Sequence, residues 1–263
     1  MSYGNARFSA GQKDVICMPR KVLRKYIIVV THGYTGDSSQ MLTFTIPGLW
    51  SLINKLCAAG AVCVASDFHG DNWGNDASVT DIENIRLAAA TYGCSTSKVV
   101  LFGGSMGGAT IYSYMRDHGD RVSGASLVAP TTALNDYYAN PDSTLGNPDI
   151  AIATQKTSIA TAWGTTSPNP LPSKADPLAN AATIAAWGIP HTVYYSDSST
   201  NHLGDADDDG NPVIKVADLQ QMKSLVGAQQ RLVYLGNSQM HGDPETVSAL
   251  DRGLTNELIG WAT

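Results

Sequence analysis

The sequence is poor in charge, and its charged residues form no basic cluster. Lys, Arg, Asp and Glu make up 15% of the 263 residues, and the formal net charge at pH 7 is −6. Binding to nucleic acid depends on concentrated positive charge that neutralises phosphates. The composition therefore argues against a nucleic-acid partner. The hydrophobic fraction of 43% is enough to form a sizeable core.

The sequence also lacks long apolar runs. A transmembrane helix needs about 20 consecutive apolar residues, and no such run is found. Residues 1–7, MSYGNAR, lack the apolar core of a signal peptide. We therefore expect a cytoplasmic location by default, while a virion-borne or exported protein stays open.

Cysteine is scarce, and the spacing of its four residues matches neither a metal site nor a disulfide framework. Cys57 and Cys63 lie in apolar surroundings, so we expect them in the core. Nothing demands a disulfide, and the default expectation is a reducing compartment. The four positions are Cys17, Cys57, Cys63 and Cys94.

What the sequence does contain is a regular alternation of β-branched apolar runs with helical patterns. This alternation predicts the α/β class, with a mostly parallel central sheet flanked by helices. Continuous apolar runs are typical of strands buried on both faces. The predicted strands are Asp14–Met18, Tyr26–Thr31, Ala61–Ser66, Val99–Phe102, Arg121–Pro130, His191–Ser196 and Arg231–Leu235.

The alternation fails between residues 131 and 187, where six prolines occur. A structureless loop of this length is uncommon inside a compact domain. We therefore predict one domain over residues 1–263, with residues 131–187 inserted as a cap over the active edge of the sheet.

The motif Gly-x-Ser-x-Gly at residues 103–107 stands between a strand pattern and a helix pattern. A serine on such a sharp strand-to-helix turn exposes its hydroxyl to a base. The helix that follows directs its N–H groups, and the positive end of its dipole, toward a forming oxyanion. Ser105 is therefore a candidate nucleophile.

Three motifs in the chain resemble those of the α/β-hydrolase superfamily, and within it the single-domain esterases, lipases and acyl hydrolases. The first is HGYTG at residues 32–36 after an early strand, and the second is the motif at residues 103–107. The third is His241, in a loop after the last predicted strand. Their order is that of the superfamily, in which the histidine comes last.

The resemblance implies a role for each of these residues. Ser105 would attack an acyl carbonyl, and His241 would act as general base and then general acid. The backbone N–H groups of Met106 and Tyr34 would form the oxyanion hole, although Thr35 could replace Tyr34 as the second donor.

The catalytic acid is where the sequence departs from the family pattern. The family has an Asp or Glu in a turn just after the penultimate strand, and the corresponding position here is Ser199. Asp197 is the carboxylate nearest the strand end and is the first candidate. Asp209 and Asp208, close to the following helix, are the alternatives.

The same loop has the first half of a calcium-loop pattern. Asp205, Asp207 and Asp209 alternate before Gly210, so their oxygens could converge on Ca²⁺. The twelfth position is Val216 rather than the expected Glu. The run therefore predicts either a partial structural Ca²⁺ site or a solvated acidic loop.

Two aromatic residues are candidates for substrate binding. Trp73 lies in a polar loop after a predicted strand, and Tyr137 follows the strand that ends at Pro130. Their positions could border an acyl or aryl pocket.

Together these patterns predict a serine hydrolase that cleaves a carboxylic ester, of a small molecule or a polymer, without an organic cofactor. A peptidase or an acyltransferase could use the same triad. A catalytically silent binding module of the same fold is the alternative from another class, because the acid is unclear.

Overall fold

The chain forms an eight-stranded sheet. The structure is a computed structural model, and it describes residues 2–6, 12–19, 26–39, 47–139, 150–166, 169–195, 216–234 and 254–261. The strands are β1 (Ser2–Ala6), β2 (Asp14–Met18), β3 (Tyr26–Thr31), β4 (Ala61–Ser66), β5 (Val99–Ser105), β6 (Val122–Pro130), β7 (His191–Tyr195) and β8 (Gln230–Tyr234).

The strand order across the sheet is β1-β2-β4-β3-β5-β6-β7-β8. β1 pairs antiparallel with β2, and β2 pairs antiparallel with β4. From β4 to β8 all neighbours are parallel. The predicted fold class, a mostly parallel sheet flanked by helices, is confirmed.

The helices follow the strands in sequence, as the alternation predicts. They are α1 (Pro47–Ala58), α2 (Asp76–Ala88), α3 (Met106–His118), α4 (Leu134–Ala139), α5 (Ile150–Ala162), α6 (Ala181–Ala186), α7 (Val216–Val226) and α8 (254–261). A 3₁₀ turn over Ala89–Tyr92 extends α2.

The core lies on both faces of the sheet, as the continuous apolar runs require. In β3, Ile27 and Val29 join the cluster on the α2 and α3 side, while Ile28 and Val30 face α1. All six residues of β3 are buried. The middle of the sheet is therefore shielded from water on both sides, and its ligands must approach at a strand end.

Helix α8 is fastened to the last strands by one carboxylate. Glu257 accepts hydrogen bonds from Ser126 of β6, at 3.2 Å, and from Tyr194 of β7, at 2.7 Å. Arg231 of β8 forms an ion pair with the same side chain. Because three neighbouring strands share this contact, it fixes the helix across that part of the sheet.

All four cysteines are buried and none forms a disulfide, and Cys57 and Cys63 lie in the core as predicted. Burial raises the pKa of the Cys17 thiol to about 12. Within the described residues, no helix is long and apolar enough to cross a membrane.

A partly buried ion-pair network joins α2 to α3, the helix that follows the candidate nucleophile. Glu83 accepts hydrogen bonds from Arg86, from the Tyr114 hydroxyl at 2.9 Å and from Arg121 at 2.7 Å. These donors, with Arg86 the strongest, lower the pKa of Glu83 to about 2.

This network predicts an acid-dependent part of the stability. The Glu83 carboxyl has an ordinary pKa near 4.5 and a folded pKa of about 2. Its contribution is therefore complete above about pH 5 and is lost as the pH falls toward 2. We expect Glu83→Gln to lower the free energy of unfolding by about 1–2 kcal/mol at pH 7, and by less at pH 3. Urea unfolding of the wild type and of Glu83→Gln at pH 7 and pH 3 checks this. If the two proteins differ in free energy of unfolding by the same amount at both pH values, the prediction is wrong.

Candidate active site

Ser105 occupies the sharp turn that the glycine motif predicts. It is the last residue of β5, and α3 begins at the next residue, Met106. Its backbone angles are φ 51° and ψ −125°, outside the regions that a side chain normally allows. Such strain costs about 1–3 kcal/mol and persists where the surrounding structure enforces it. Here the backbone turns from strand to helix within one residue.

Two glycines of the motif let the turn lie against β3. A Cβ added at Gly103 would collide with Thr31 Oγ1, and one at Gly107 would lie 2.6 Å from the His32 carbonyl oxygen. Thr31 Oγ1 also donates a hydrogen bond of 3.0 Å to the Gly107 carbonyl. The turn is therefore held directly against the end of β3.

The loop at residues 32–36 lies beside the nucleophile. A Cβ added at Gly33 would lie 3.7 Å from Ser105 Cβ. His32 is buried, and its Nδ1 lies 2.8 Å from the Gly33 carbonyl oxygen while its Nε2 lies 2.9 Å from that of Asp67. Both ring nitrogens thus face backbone carbonyl oxygens, and His32 connects the 32–36 loop to the segment that follows β4.

Thr35 is not available as an oxyanion donor, which corrects the alternative drawn from the sequence. Its backbone N–H donates a hydrogen bond of 2.8 Å to Asp71 Oδ1. Gly36 N–H donates to the Gly33 carbonyl at 3.0 Å. Within the described residues, the Tyr34 N–H makes no hydrogen bond. Tyr34 therefore stays as the candidate for the second donor, beside the Met106 N–H at the start of α3.

The polar loop at residues 67–75, which contains Trp73, also holds two residues that sequence reasoning did not single out, Asp71 and Asn72. It follows β4, and it contacts the 32–36 loop through Asp67 and Asp71. Asn72 Oδ1 accepts a hydrogen bond of 2.7 Å from Thr110, one turn into α3. The available signal was a carboxylate and amide cluster at the carboxyl end of a strand.

Trp73 lies in this loop and is buried. Its side chain is 1% exposed, and its Nε1 donates a hydrogen bond of 3.0 Å to Ser158 of α5. The Tyr34 ring lies 5.5 Å from it, between ring centroids. Trp163 Nε1 donates to the Trp73 carbonyl at 3.2 Å. Trp73 thus packs between the 32–36 loop and α5, and its predicted role in substrate binding stays a prediction.

The other predicted substrate contact, Tyr137, lies on α4, and its role also stays a prediction. Nearby, the Thr131 N–H donates a hydrogen bond of 3.0 Å to the Ser105 carbonyl, so β6 ends beside the nucleophile. The Asp176 carboxylate then accepts from Asn135 N–H at 3.1 Å, which joins α4 to the segment before α6. The prediction that residues 131–187 form a cap over the site stays open.

Several predicted site residues lie outside the described residues. They are His241, the acid candidates Asp197, Asp208 and Asp209, and the calcium candidates Asp205, Asp207 and Asp209. In the part of the chain that the structure describes, no cluster of three or more His, Cys, Asp or Glu side chains could hold a metal ion.

The strands that lead into these loops end side by side. β7 and β8 are parallel neighbours, and Tyr195 at the end of β7 is paired in register with Tyr234 at the end of β8. Their rings lie 5.6 Å apart between centroids. Asp197 follows the first strand by two residues, and His241 follows the second by seven.

The sheet order and the serine turn define an α/β-hydrolase. A family model described as serine aminopeptidase, S33, matches residues 24–173, which is more than half of the chain. The chain therefore belongs to this family of α/β-hydrolase-type serine hydrolases. A search of curated proteins gives no significant match to the sequence.

Solved structures agree on the fold over nearly the whole chain. MPT51 (FbpC1) of Mycobacterium tuberculosis is 14% identical, with a TM-score of 0.67 and 100% of both chains covered. The fluorophosphonate-binding serine hydrolase F of Staphylococcus aureus is 11% identical, with a TM-score of 0.68 and coverage of 100% and 98%. An S-formylglutathione hydrolase of Agrobacterium tumefaciens is 12% identical, with a TM-score of 0.63 and coverage of 99% and 93%. At these identities the likeness concerns the fold.

Proposed function

We propose that the chain hydrolyses a carboxylic ester through an acyl-enzyme formed on Ser105. The observation that carries this proposal is the strained turn at Ser105, with φ 51° and ψ −125°, between β5 and α3. Strain of this kind is retained where a site needs it. The family match supports a serine hydrolase, and the ester as substrate is our own inference.

The proposed reaction begins when His241 takes the proton of the Ser105 hydroxyl. The Ser105 Oγ then bonds to the ester carbonyl carbon, and the carbonyl oxygen becomes an oxyanion that accepts hydrogen bonds from the Met106 and Tyr34 N–H groups. Collapse breaks the bond to the alkoxide, which takes the proton from His241. Water, deprotonated by His241, then attacks the acyl carbon. The bond to Ser105 Oγ breaks, the serine oxygen takes the proton back from His241, and the acid is released. No organic cofactor is needed for these steps.

The positions and contacts of the four histidines that the structure describes support the assignment of His241 as the base. Both ring nitrogens of His32 face carbonyl oxygens, and His69 lies 3.3 Å from an oxygen of Asp81. His118 ends α3, about 18 Å along the helix from its start. His191 is the first residue of β7, whereas Ser105 is the last residue of β5. Because the strands are parallel, the two residues lie toward opposite strand ends. His32, His118 and His191 are thus not placed to serve Ser105, and both ring nitrogens of His69 already contact other side chains, those of Gln12 and Asp81.

Asp197 is the proposed acid, which would orient the His241 ring and stabilise its charged form. The support is that β7 and β8 end in register, so the segments that begin after Tyr195 and Tyr234 start from adjacent points. Of the acid candidates, Asp197 is the closest in sequence to that edge.

Asparagine substitutions separate the acid candidates. We expect Asp197→Asn to lower kcat by about 10³–10⁴-fold, because the His241 ring would lose its orienting carboxylate. Asp209→Asn and Asp208→Asn should keep kcat within about threefold of wild type under the same account. Nitrophenyl ester hydrolysis measures all three. Loss of activity only in Asp209→Asn or Asp208→Asn would move the acid to that residue.

The run of Asp205, Asp207 and Asp209 carries a separate proposal of a structural Ca²⁺ site. A site filled 100-fold above its Kd would add about 2.7 kcal/mol to the stability, which corresponds to roughly 5–10 °C in Tm. Thermal unfolding in Ca²⁺ and in EDTA measures this difference. An equal unfolding midpoint in Ca²⁺ and in EDTA would contradict the proposed Ca²⁺ site.

Substrate class is tested by comparing nitrophenyl esters of increasing chain length with aminoacyl nitroanilides. The description of the matching family as a serine aminopeptidase makes a peptidase the second candidate. We expect faster hydrolysis of the esters. Faster cleavage of the nitroanilides would favour the peptidase. Transfer of the acyl group to an added alcohol in preference to water would indicate an acyltransferase. No reaction with either substrate would favour the silent binding module.

A further inference from the structure

The loop at residues 32–36 has two peptide planes that determine where the Tyr34 N–H points. The first is the peptide between Gly33 and Tyr34. The Gly33 carbonyl accepts from Gly36 N–H at 3.0 Å and lies 2.8 Å from His32 Nδ1. In a trans peptide the carbonyl and the following N–H point in opposite directions. The contacts with Gly36 and His32 hold the Gly33 carbonyl toward the turn. They therefore direct the Tyr34 N–H, which belongs to the same peptide, away from it.

The second plane is the peptide between Tyr34 and Thr35. Its N–H is the group that donates to Asp71 Oδ1 at 2.8 Å. Thr35 has φ 59°, a left-handed conformation that is a genuine outlier for a β-branched residue. Such a conformation persists only when the surroundings enforce it. The hydrogen bond to Asp71 supplies that restraint across 36 positions of sequence.

The next residue, Asn72, joins the same loop to the nucleophile helix. Asn72 Oδ1 accepts from Thr110 Oγ1 at 2.7 Å and from Gly74 N–H at 2.8 Å. Thr110 Oγ1 also lies 3.3 Å from the Met106 carbonyl oxygen, one turn earlier in α3. Adjacent residues of one loop thus hold the two backbone segments that carry the Tyr34 and Met106 N–H groups.

We propose that Asp71 is a positioning residue of the oxyanion hole, because its carboxylate fixes Thr35 and thereby the Tyr34 N–H. This inference rests on the proposed serine hydrolase function. In this proposal Asp71 supports activity through the hydrogen bond that it accepts from the Thr35 N–H. Its negative charge is not the cause, because that charge would oppose the negative charge that develops on the oxyanion.

The Asp71 charge also acts on the Tyr34 phenol. Burial, and after it the Asp71 charge, raises the pKa of that phenol. The carboxylate thus acts on both the backbone and the side chain around Tyr34. Only the backbone contact survives replacement by asparagine, because the amide oxygen can accept the same hydrogen bond.

The test compares Asp71→Ala, Asp71→Asn and the matched control Asp120→Ala. Asp120 is 59% exposed and lies beyond the far end of α3, so its replacement removes one carboxylate away from the site. With p-nitrophenyl acetate we expect Asp71→Ala to lower kcat by about 10–100-fold with KM changed less than threefold, since a misplaced donor acts on the transition state. Asp71→Asn and Asp120→Ala should stay within about threefold of wild type.

Amide hydrogen exchange gives a readout that does not depend on turnover. The Thr35 amide should be protected in wild type and in Asp71→Asn, and should exchange at least tenfold faster in Asp71→Ala. An unprotected Thr35 amide in the wild-type protein would overturn the proposal even if the alanine variant fails to fold. Equal losses of kcat in Asp71→Asn and Asp71→Ala would also overturn it, because the charge would then be responsible.

The outcomes separate this inference from the proposed function. If the wild-type protein turns over the ester and Asp71→Ala keeps its kcat, the positioning role is wrong and the hydrolase assignment stands. If the wild-type protein neither hydrolyses the ester nor reacts with a fluorophosphonate, the proposed function fails and the catalytic role of Asp71 fails with it.

Discussion

Replacing Ser105 by alanine is expected to lower kcat for nitrophenyl ester hydrolysis by about 10⁴-fold or more. The substitution removes the oxygen that forms the acyl-enzyme, and the Met106 and Tyr34 N–H groups can then assist only direct attack by water. Steady-state hydrolysis of p-nitrophenyl acetate measures the loss. Since Ser105 is half-buried in a turn fixed by its neighbours, the fold should be retained, and circular dichroism should match wild type.

Ser97→Ala is the matched control for this prediction. Ser97 is exposed in the turn before β5, and its hydroxyl is bonded to that of Ser95 at 2.8 Å. Its replacement should leave kcat unchanged. If Ser105→Ala kept most of the wild-type activity, the reaction would not pass through this hydroxyl, and the proposed mechanism would be wrong.

Gly107→Ala is expected to lower the free energy of unfolding by about 3 kcal/mol, which corresponds to roughly 6–12 °C in Tm. A Cβ at this position would lie 2.6 Å from the His32 carbonyl oxygen and 2.8 Å from the Thr31 carbonyl oxygen. Both are backbone atoms of the segment beside the nucleophile, so they cannot move aside without displacing it. Urea unfolding and thermal melts measure the change.

Gly260→Ala provides the comparison within the same chain. Gly260 also lies in a helix, α8, and a Cβ there would meet nothing within 4 Å. Alanine is favoured over glycine in helices, so this variant should be up to about 1 kcal/mol more stable. Equal changes in the free energy of unfolding for Gly107→Ala and Gly260→Ala would contradict this account. Helix propensity, and not the close approach of Gly107 to β3, would then explain the effect of Gly107→Ala.

The central strands could be predicted from sequence because their burial leaves a direct pattern. Tyr26–Thr31 and Ala61–Ser66 have the same bounds in the sequence prediction and in the structure. Every residue of these strands is buried, so each position is apolar or small. The glycine motif predicted the sharp turn at Ser105, but the apolar pattern did not show where the strand before it ends. The predicted strand ended at Phe102, whereas β5 continues to Ser105 and α3 starts at Met106.

The contacts around the 32–36 loop could not be predicted in the same way. Asp71 accepts a hydrogen bond from a backbone N–H, and every residue except proline offers that group. The pairing of Asp71 with Thr35 therefore leaves no periodicity or motif in the sequence. The hydrogen bond from the Trp73 indole to Ser158 likewise has no counterpart in the sequence pattern, and the substrate-binding role of Trp73 stays a prediction.

The His241 and Asp197 assignments stand on sequence order and on the ends of β7 and β8. The register pairing of Tyr195 with Tyr234 brings the strand ends together. Which of the candidate carboxylates contacts His241 depends on the conformation of the segment after β7. The asparagine variants of Asp197, Asp208 and Asp209 distinguish the candidates.

The most direct measurement is the mass-spectrometric mapping of a fluorophosphonate adduct. Attack by the Ser105 Oγ on phosphorus would expel fluoride and leave one covalent phosphonate on the protein. We expect one adduct per chain, on the peptide that contains Ser105, and none in Ser105→Ala. An unmodified Ser105 under conditions that label other serine hydrolases, or an adduct that persists in Ser105→Ala, would contradict the assignment of Ser105 as the nucleophile.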